Sequence, residues 1–494
     1  MNSKGAVLVL RWVSVGLIFL AVLLTGIQLV NYSRLRANFP DGMVIAGVPV
    51  GGLNQQDAAN RLVEAYGVPI ELRYGTAVIQ VKPNVVGFEM DLEGMIAAAD
   101  LQRTSQPFWP AFWDYLWNRL PAPQEVPLSA TISQERLRSY LKDEIALRYD
   151  QPPIASMPVP GSTNFSPGSP GTTLDIDRAV TLISDALESP ASRVVNLTFS
   201  QTSAPRPSMQ NLQILIQQII DINKFDGLGE IYLLDLQTGQ ELDFAYQQSK
   251  NPPPVIAFTG ASTIKIAIMT AIMRRVKEPL SADINNEMDL MIEKSDDVAP
   301  DVLMKTYIDP TIGPLDVTAD MQALGLKNTF IAGFFQPGAP LLKKFATPGN
   351  SRSDEQTNPD PYNQTTPSEM GQLLADIYQC AQNGGGTFAA VFPGQLTQSK
   401  CRTMVTFLAG DKIGQLIQAG LPDGTEFAHK HGWAIEGDGL IHHISDAGIV
   451  YSPGGNYVLA VYMYHPVQIL FDPVNLMVAQ ISTAVYNYFN MPTK

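Results

Sequence analysis

The sequence is short of cysteine, histidine and positive charge. Its 494 residues include 2 cysteines and 5 histidines. No C-x-x-C occurs, and no Cys/His cluster has metal-ligand spacing, so zinc fingers and ribbons are excluded and neither a metal nor another cofactor is expected. The cysteines, Cys380 and Cys401, leave two readings open: a bridge across a surface loop in an oxidising compartment, or two unpaired, partly buried thiols. Lys and Arg number 33 against 47 Asp and Glu, a formal charge of −14. A surface of that sign repels a phosphate backbone, so no nucleic-acid partner is expected. Charged residues make up 16% and hydrophobic residues 45%, the balance of a folded chain. The length calls for two or three domains.

One long hydrophobic run is present. Trp12 to Val30 carries no charge, and about 20 apolar residues at 1.5 Å each cross a bilayer core of roughly 30 Å. Lys4 and Arg11 precede the run, and no A-x-A-like cleavage site follows it. An uncleaved signal anchor is therefore favoured over a cleaved signal peptide. Residues 1–37 are read as a cytoplasmic stub and a transmembrane helix. The rest is expected outside the cytoplasmic membrane, although Arg34 and Arg36 just beyond the run dilute the positive-inside bias.

Residues 38–205 contain two similar segments. Gly87-Phe88-Glu89-Met90-Asp91-Leu92-Glu93 and Gly171-Thr172-Thr173-Leu174-Asp175-Ile176-Asp177 share the pattern G-x-x-apolar-D-apolar-acid. Each runs into an apolar-periodic stretch. The reading is a duplicated α+β unit in which Asp91 and Asp175 cap helices rather than catalyse. The segment Val44-Ile45-Ala46-Gly47-Val48-Pro49-Val50-Gly51-Gly52-Leu53, followed by Asp57-Ala58-Ala59 opening a helix, resembles the peptidoglycan-binding-type domain that precedes cell-wall modules of the vancomycin-resistance and L,D-transpeptidase types. The resemblance implies a cell-wall partner for 38–205; the alternative is a spacer holding the next domain off the membrane. Within it, Pro152 to Pro170 is rich in Pro, Ser and Gly and reads as a loop. Gln201 to Ser208 is a second break, and the domain boundary is placed there.

From residue 209 to 494 the pattern is a helix (Leu212 to Ile222), a hairpin (Gly229 to Tyr246), a helix-rich middle and two late strands (Ala447 to Tyr451, Tyr457 to Tyr464). This implies one α/β (α+β) domain whose antiparallel sheet is built from both ends of the segment and flanked by helices. Its sharpest motif is Thr259-Gly260-Ala261-Ser262-Thr263-Ile264-Lys265 ahead of an apolar helix. Positions i and i+3 share a helix face, so the Lys265 amine can reach the Ser262 hydroxyl. A serine needs such a base, and a lysine becomes one when burial or a second cation lowers its pKa. A second S-x-x-K, Ser139 to Lys142, lies in a polar helical stretch with nothing to activate it.

Downstream stand Lys294-Ser295-Asp296-Asp297 and His429-Lys430-His431-Gly432-Trp433. With Ser262 and Lys265 they resemble the ordered S-x-x-K, S-D-N and K-T-G elements of class A β-lactamases and penicillin-binding proteins. The resemblance implies a β-lactamase-like fold and an acyl-enzyme mechanism on β-lactams or peptidoglycan peptides. Ser262 would attack the carbonyl, Lys265 would take its proton, and Ser295 would relay a proton to the leaving nitrogen. Lys430 would hold the substrate carboxylate. The backbone N–H groups of Ser262 and Trp433 would form the oxyanion hole, with Asp297, His431 and Gly432 completing the binding surface. Three positions depart from the family pattern. Asp297 replaces an asparagine, so a donor is lost and Lys265 gains a charge that raises its pKa. His431 replaces a Thr or Ser. Gln336, in Phe335-Gln336-Pro337, stands where class A enzymes carry the deacylating glutamate, and an amide is not a general base; Glu355, in the insertion that follows, reads as a solvated loop acid. Acylation without fast turnover is expected. The rival readings are a weakly catalytic or non-catalytic cell-wall-binding envelope protein, and an envelope scaffold acting through residues 38–205.

Overall fold

The computed structural model describes residues 3–491. Residues 1–2 and 492–494, which belong to the expected membrane segment and C-terminal domain, lie outside the described residues. Two compact units form. One is Met1–Pro153 with Pro170–Thr202, the other Ile154–Ser169 with Ser203–Lys494.

In the first unit, α1 (Ser3–Ala37) is one continuous helix, longer than the uncharged run it contains. Its stretch Leu8–Ala37 is long and apolar enough to cross a membrane, with a mean hydropathy of 2.4 in its most apolar window. Asn54 caps α2 (Gln55–Gly67), which opens two residues before Asp57. β1 (Ile70–Tyr74) and β2 (Ala77–Val81) form a hairpin. β3 (Phe88–Met90) leads through Asp91 into α3 (Leu92–Thr104), followed by α4 (Phe108–Leu116) and β4 (Ala130–Ile132), the partner of β3. β5 (Gly171–Leu174) leads through Asp175 into α5 (Ile176–Leu187). β6 (Val194–Asn196) then joins β1 in parallel, and β7 (Phe199–Thr202) pairs with β5.

The two similar sequence segments fold alike. The Asp91 carboxylate accepts the Gly94 N–H at 2.9 Å, and Asp175 accepts that of Arg178 at 3.0 Å. The backbone N–H of each aspartate donates to a carbonyl at the edge of its strand pair, Ser129 and Thr198 respectively. The repeat is thus a local strand–aspartate–helix unit, in which the carboxylate satisfies helix N–H groups that have no partner within the helix.

The Pro-rich segment 152–170, read as a loop, instead contains a short hairpin in which Met157–Pro158 pairs with Phe165–Ser166. Its residues Ile154–Ser169 belong to the second unit, although they fall within the span 38–205. Proline bars a helix but tolerates an edge strand. Phe165 packs on Tyr488, and the Asn487 amide donates to the Thr163 carbonyl at 2.9 Å.

The second unit begins with α6 (Met209–Ile222), β8 (Leu228–Asp235) and β9 (Glu241–Tyr246). Next come α7 (Lys265–Arg275), α8 (Ala282–Ile292), α9 (Ala299–Tyr307), α10 (Pro367–Asn383) and α11 (Gln398–Ala409). It ends with β10 (Glu426–Trp433), β11 (His443–Tyr451), β12 (Tyr457–Tyr464) and α12 (Phe471–Phe489). The sheet order is β9-β8-β12-β11-β10, antiparallel throughout, so strands from both ends of the segment lie side by side. Strand alternation divides the core into two layers. Val458, Ala460 and Tyr462 of β12 face the layer of α7 and α10; Tyr457, Leu459, Val461 and Met463 face α6 and α12. Every residue from Lys265 to Met273 is buried, which makes α7 the central helix. Cys380 on α10 and Cys401 on α11 form a disulfide with Cα atoms 5.8 Å apart. Both are fully buried, so the bridge ties two core helices and spans no surface loop.

Candidate active site

Ser262 lies on a single turn, Ala261–Ile264, that feeds directly into α7. Strand β10 presses against this turn at Gly432. A Cβ there would come within 3.0 Å of the Ser262 nitrogen and 3.1 Å of the Thr263 nitrogen. A side chain at this position would push strand and turn apart, so the glycine lets the backbone of Gly432 lie beside the nucleophile candidate.

Lys265 has no solvent exposure. Its Nζ donates to Ser262 Oγ at 3.0 Å, to the Ser295 carbonyl at 2.8 Å and to Asp297 Oδ1 at 2.7 Å. Ser295 follows α8 in a left-handed conformation, φ 57°, and its Oγ donates to Ser262 Oγ at 3.0 Å. Two side chains, Lys265 and Ser295, thus converge on the Ser262 hydroxyl, with Asp297 bonded to the amine behind it. Burial pulls the Lys265 pKa below its ordinary value, the Asp297 carboxylate opposes that shift, and the positive charge of Lys430 adds to it. An amine held this way can accept a proton from Ser262 when it is neutral.

Lys430 is also fully buried, but its ammonium is turned to a carboxylate. Its Nζ donates to Asp411 Oδ2 at 3.0 Å and lies 3.3 Å from His431 Nδ1, which is itself 2.8 Å from the same oxygen. Behind them His429 Nδ1 meets Asp446 Oδ1 at 2.8 Å. Burial pushes the Asp411 carboxyl up, but the hydrogen bond from His431 and the neighbouring His429 and Lys430 outweigh it and hold the carboxyl below its usual range. Lys430 therefore reaches the Ser262 group through its charge and makes no hydrogen bond to it. His431, expected at the binding surface, is nine-tenths buried, bonds Asp411 and packs its ring on Trp433 at 4.8 Å between centroids.

Gln336 is exposed, and its Oε1 accepts from Lys305 Nζ at 2.9 Å. The neighbouring ring of Phe335 lies 5.5 Å from Lys265 Nζ. Asp301 fastens this loop by accepting the N–H groups of Phe335 and Gln336 at 2.8 and 3.0 Å. Glu355 sits beside Arg352, which is anchored on the Pro253 and Pro254 carbonyls and on Asp354. Among the described residues, the carboxylate bonded to the Ser262 group is that of Asp297. Ser139 and Lys142 of the second S-x-x-K are both exposed on their helix. No group of three or more His, Cys, Asp or Glu side chains among the described residues is set to hold a metal ion.

Sequence reasoning passed over Asp411 and Asp301. Asp411 follows α11 in a polar stretch that reads as a loop, and its burial depends on β10 packing over it. Asp301, in the first turn of α9, reads as an ordinary N-terminal helix acid.

A serine at the mouth of a largely buried helix, a buried amine on its hydroxyl, and an antiparallel sheet whose edge strand lies against that serine define a β-lactamase-like fold. Residues 277–489, somewhat under half of the chain, match the family model described as the beta-lactamase enzyme family. The matched span contains Ser295, Asp297 and Lys430 and begins after Ser262 and Lys265, which the contacts above join to it. Similar solved structures include PBP-A, at 21% identity and a TM-score of 0.40 over 58% of this chain and 99% of that one. A β-lactamase from Desulfarculus baarsii DSM 2075 is 17% identical over 58% of this chain and 100% of its own, with a TM-score of 0.41. An ancestral class A β-lactamase of Gram-negative bacteria is 20% identical over 55% and 98%, with a TM-score of 0.38. No curated protein matches the chain significantly.

Proposed function

We propose that the second unit is a serine acyl-enzyme acting on β-lactams or peptidoglycan peptides. The observation that carries this reading is the Lys265 amine, buried and 3.0 Å from Ser262 Oγ. When that amine is neutral it takes the hydroxyl proton as Oγ bonds to the substrate carbonyl carbon. The resulting oxyanion is received by the backbone N–H groups of Ser262 and Trp433. As the C–N bond breaks, Ser295 passes its hydroxyl proton to the leaving nitrogen and takes in return the proton that Lys265 received from Ser262. The acyl group stays on Ser262 until water displaces it. Lys430, neutralised in part by Asp411, works through its field, and His431, when it is an imidazolium, donates its Nε2–H to a substrate carboxylate. With Gln336 tied to Lys305, no carboxylate activates the deacylating water, and the adduct is long-lived.

The 2.7 Å Asp297–Lys265 contact favours a second form of this reading, a slow penicillin-binding protein. Asp297 stabilises the ammonium, which cannot accept a proton. In both forms α1 anchors the chain in a membrane, the second unit lies outside the cytoplasm, and residues 38–205 serve as cell-wall binder or spacer.

The test is mass spectrometry of the chain after exposure to a labelled penicillin. The expected result is one stable adduct on the peptide bearing Ser262, absent from Ser262→Ala. No adduct in the unaltered chain, or the same adduct in the variant, would overturn the reading.

A further inference from the structure

Three of the chain's five tryptophans fall within nine residues, Trp109, Trp113 and Trp117. They recur every four positions along α4 and its C-terminal cap, so they share one helix face. That face is bare: the three are 67%, 61% and 60% exposed. Three large aromatic rings standing together in water have a cost, and such a patch marks an interaction surface.

The opposite face of α4 identifies what the patch meets, because it is packed against α1 within the same unit. Phe108, Phe112 and Tyr115 surround the buried ring of Tyr32 at 5.4, 5.5 and 5.1 Å between centroids. The Tyr115 hydroxyl donates to Gln28 Oε1 at 3.2 Å, and at the other end Arg36 lies over Phe108 and donates to the Gln106 carbonyl. The start of α4 is therefore level with Arg36 and its end with Gln28, so α4 runs antiparallel to α1, toward the apolar span. The uncharged run stops at Val30. At 1.5 Å per residue, Trp113 is level with about Val30 and Trp117 roughly 6 Å further along the span. A helix lying in a bilayer interface sinks its apolar face about 5–10 Å into the headgroup boundary. Trp is the residue enriched at that depth, since its ring is apolar and its N–H is not.

We propose that α4 is a membrane-docking helix whose Trp109–Trp113–Trp117 face inserts into the lipid headgroup layer beside the α1 span. With α1 it forms a two-point anchor that holds the first unit against the bilayer instead of leaving it on a swivelling stalk. The proposal rests on the reading of α1 as a membrane span.

The test uses the full chain in phospholipid vesicles carrying lipids brominated near the headgroup end of the acyl chains. Tryptophan emission is compared between the unaltered chain and a W109F/W113F/W117F triple variant, in which exposed aromatic positions stay aromatic; the difference reports the three rings. The expected result is that this difference emission falls about twofold in brominated vesicles and is shielded from iodide in the buffer. If it is quenched by iodide and indifferent to bromine while the emission remaining in the variant, from Trp12 and Trp433, falls with bromine, α1 is inserted and the docking helix is overturned. If that remaining emission is also indifferent, the span reading fails, and the proposal falls with it.

Discussion

Lys265 and Lys430 are both fully buried in the second unit, yet the two regions that hold them differ. Around Lys265 the partners are two hydroxyls, a carbonyl and one carboxylate, Asp297, whose side chain is 71% exposed. Around Lys430 the partners are a carboxylate and an imidazole sealed from water, with a second His–Asp pair behind them. Burial lowers the pKa of both amines. What separates them is the partner. An amine facing hydroxyls can exchange a proton with one of them. An amine facing a buried carboxylate is half of an ion pair and works as fixed charge.

That contrast can be broken by matched substitutions. Lys265→Met removes the base while filling its space with an apolar chain of similar length. Acylation by a reporter penicillin is expected to fall by about 10²–10⁴-fold with little loss of melting temperature; an unchanged acylation rate would show that Lys265 is not the base. Lys430→Met is expected to act on stability instead. It leaves Asp411 buried with one cationic partner fewer, and urea unfolding should show a loss of about 3–5 kcal/mol. A variant as stable as the parent would mean that Lys430 is not holding Asp411.

Asp297→Asn sharpens the contrast with a smaller effect in the opposite direction. The Asp297 carboxylate raises the Lys265 pKa, so removing its charge lowers that pKa and leaves more neutral amine at pH 7. The acid limb of the acylation rate against pH should move to lower pH, and acylation at pH 7 should speed up. A limb that stays in place would show that the exposed pair is screened by solvent.

Much of the fold was legible because its signals are local. The aspartate caps at Asp91 and Asp175 could be read from neighbouring residues, as could the hairpin from Gly229 to Tyr246 and the apolar helix after Ser262. The candidate site was legible for a different reason: Ser262 and Lys265 sit one helical turn apart, so local geometry alone joins them. The hairpin in 152–170 was hidden because proline and serine write a loop, and only the packing of Phe165 on Tyr488 recruits the segment to the second unit. Asp411 was hidden because a lone acid after a helix looks solvated until a strand covers it. The relation of Cys380 to Cys401 was undecidable because the approach of α10 to α11 is a tertiary fact.

The amino-acid sequence by itself determined most of the elements, the long apolar run of α1, and the pairing of serine and lysine on one helix face, since each depends on residues within a few turns of one another. Only the tertiary structure decided that Ser295 shares the Ser262 hydroxyl, that Lys430 is claimed by Asp411, and that three tryptophans stand bare alongside α1. Those outcomes depend on which distant side chains exclude water from which charges and rings, and that is settled by how the elements pack.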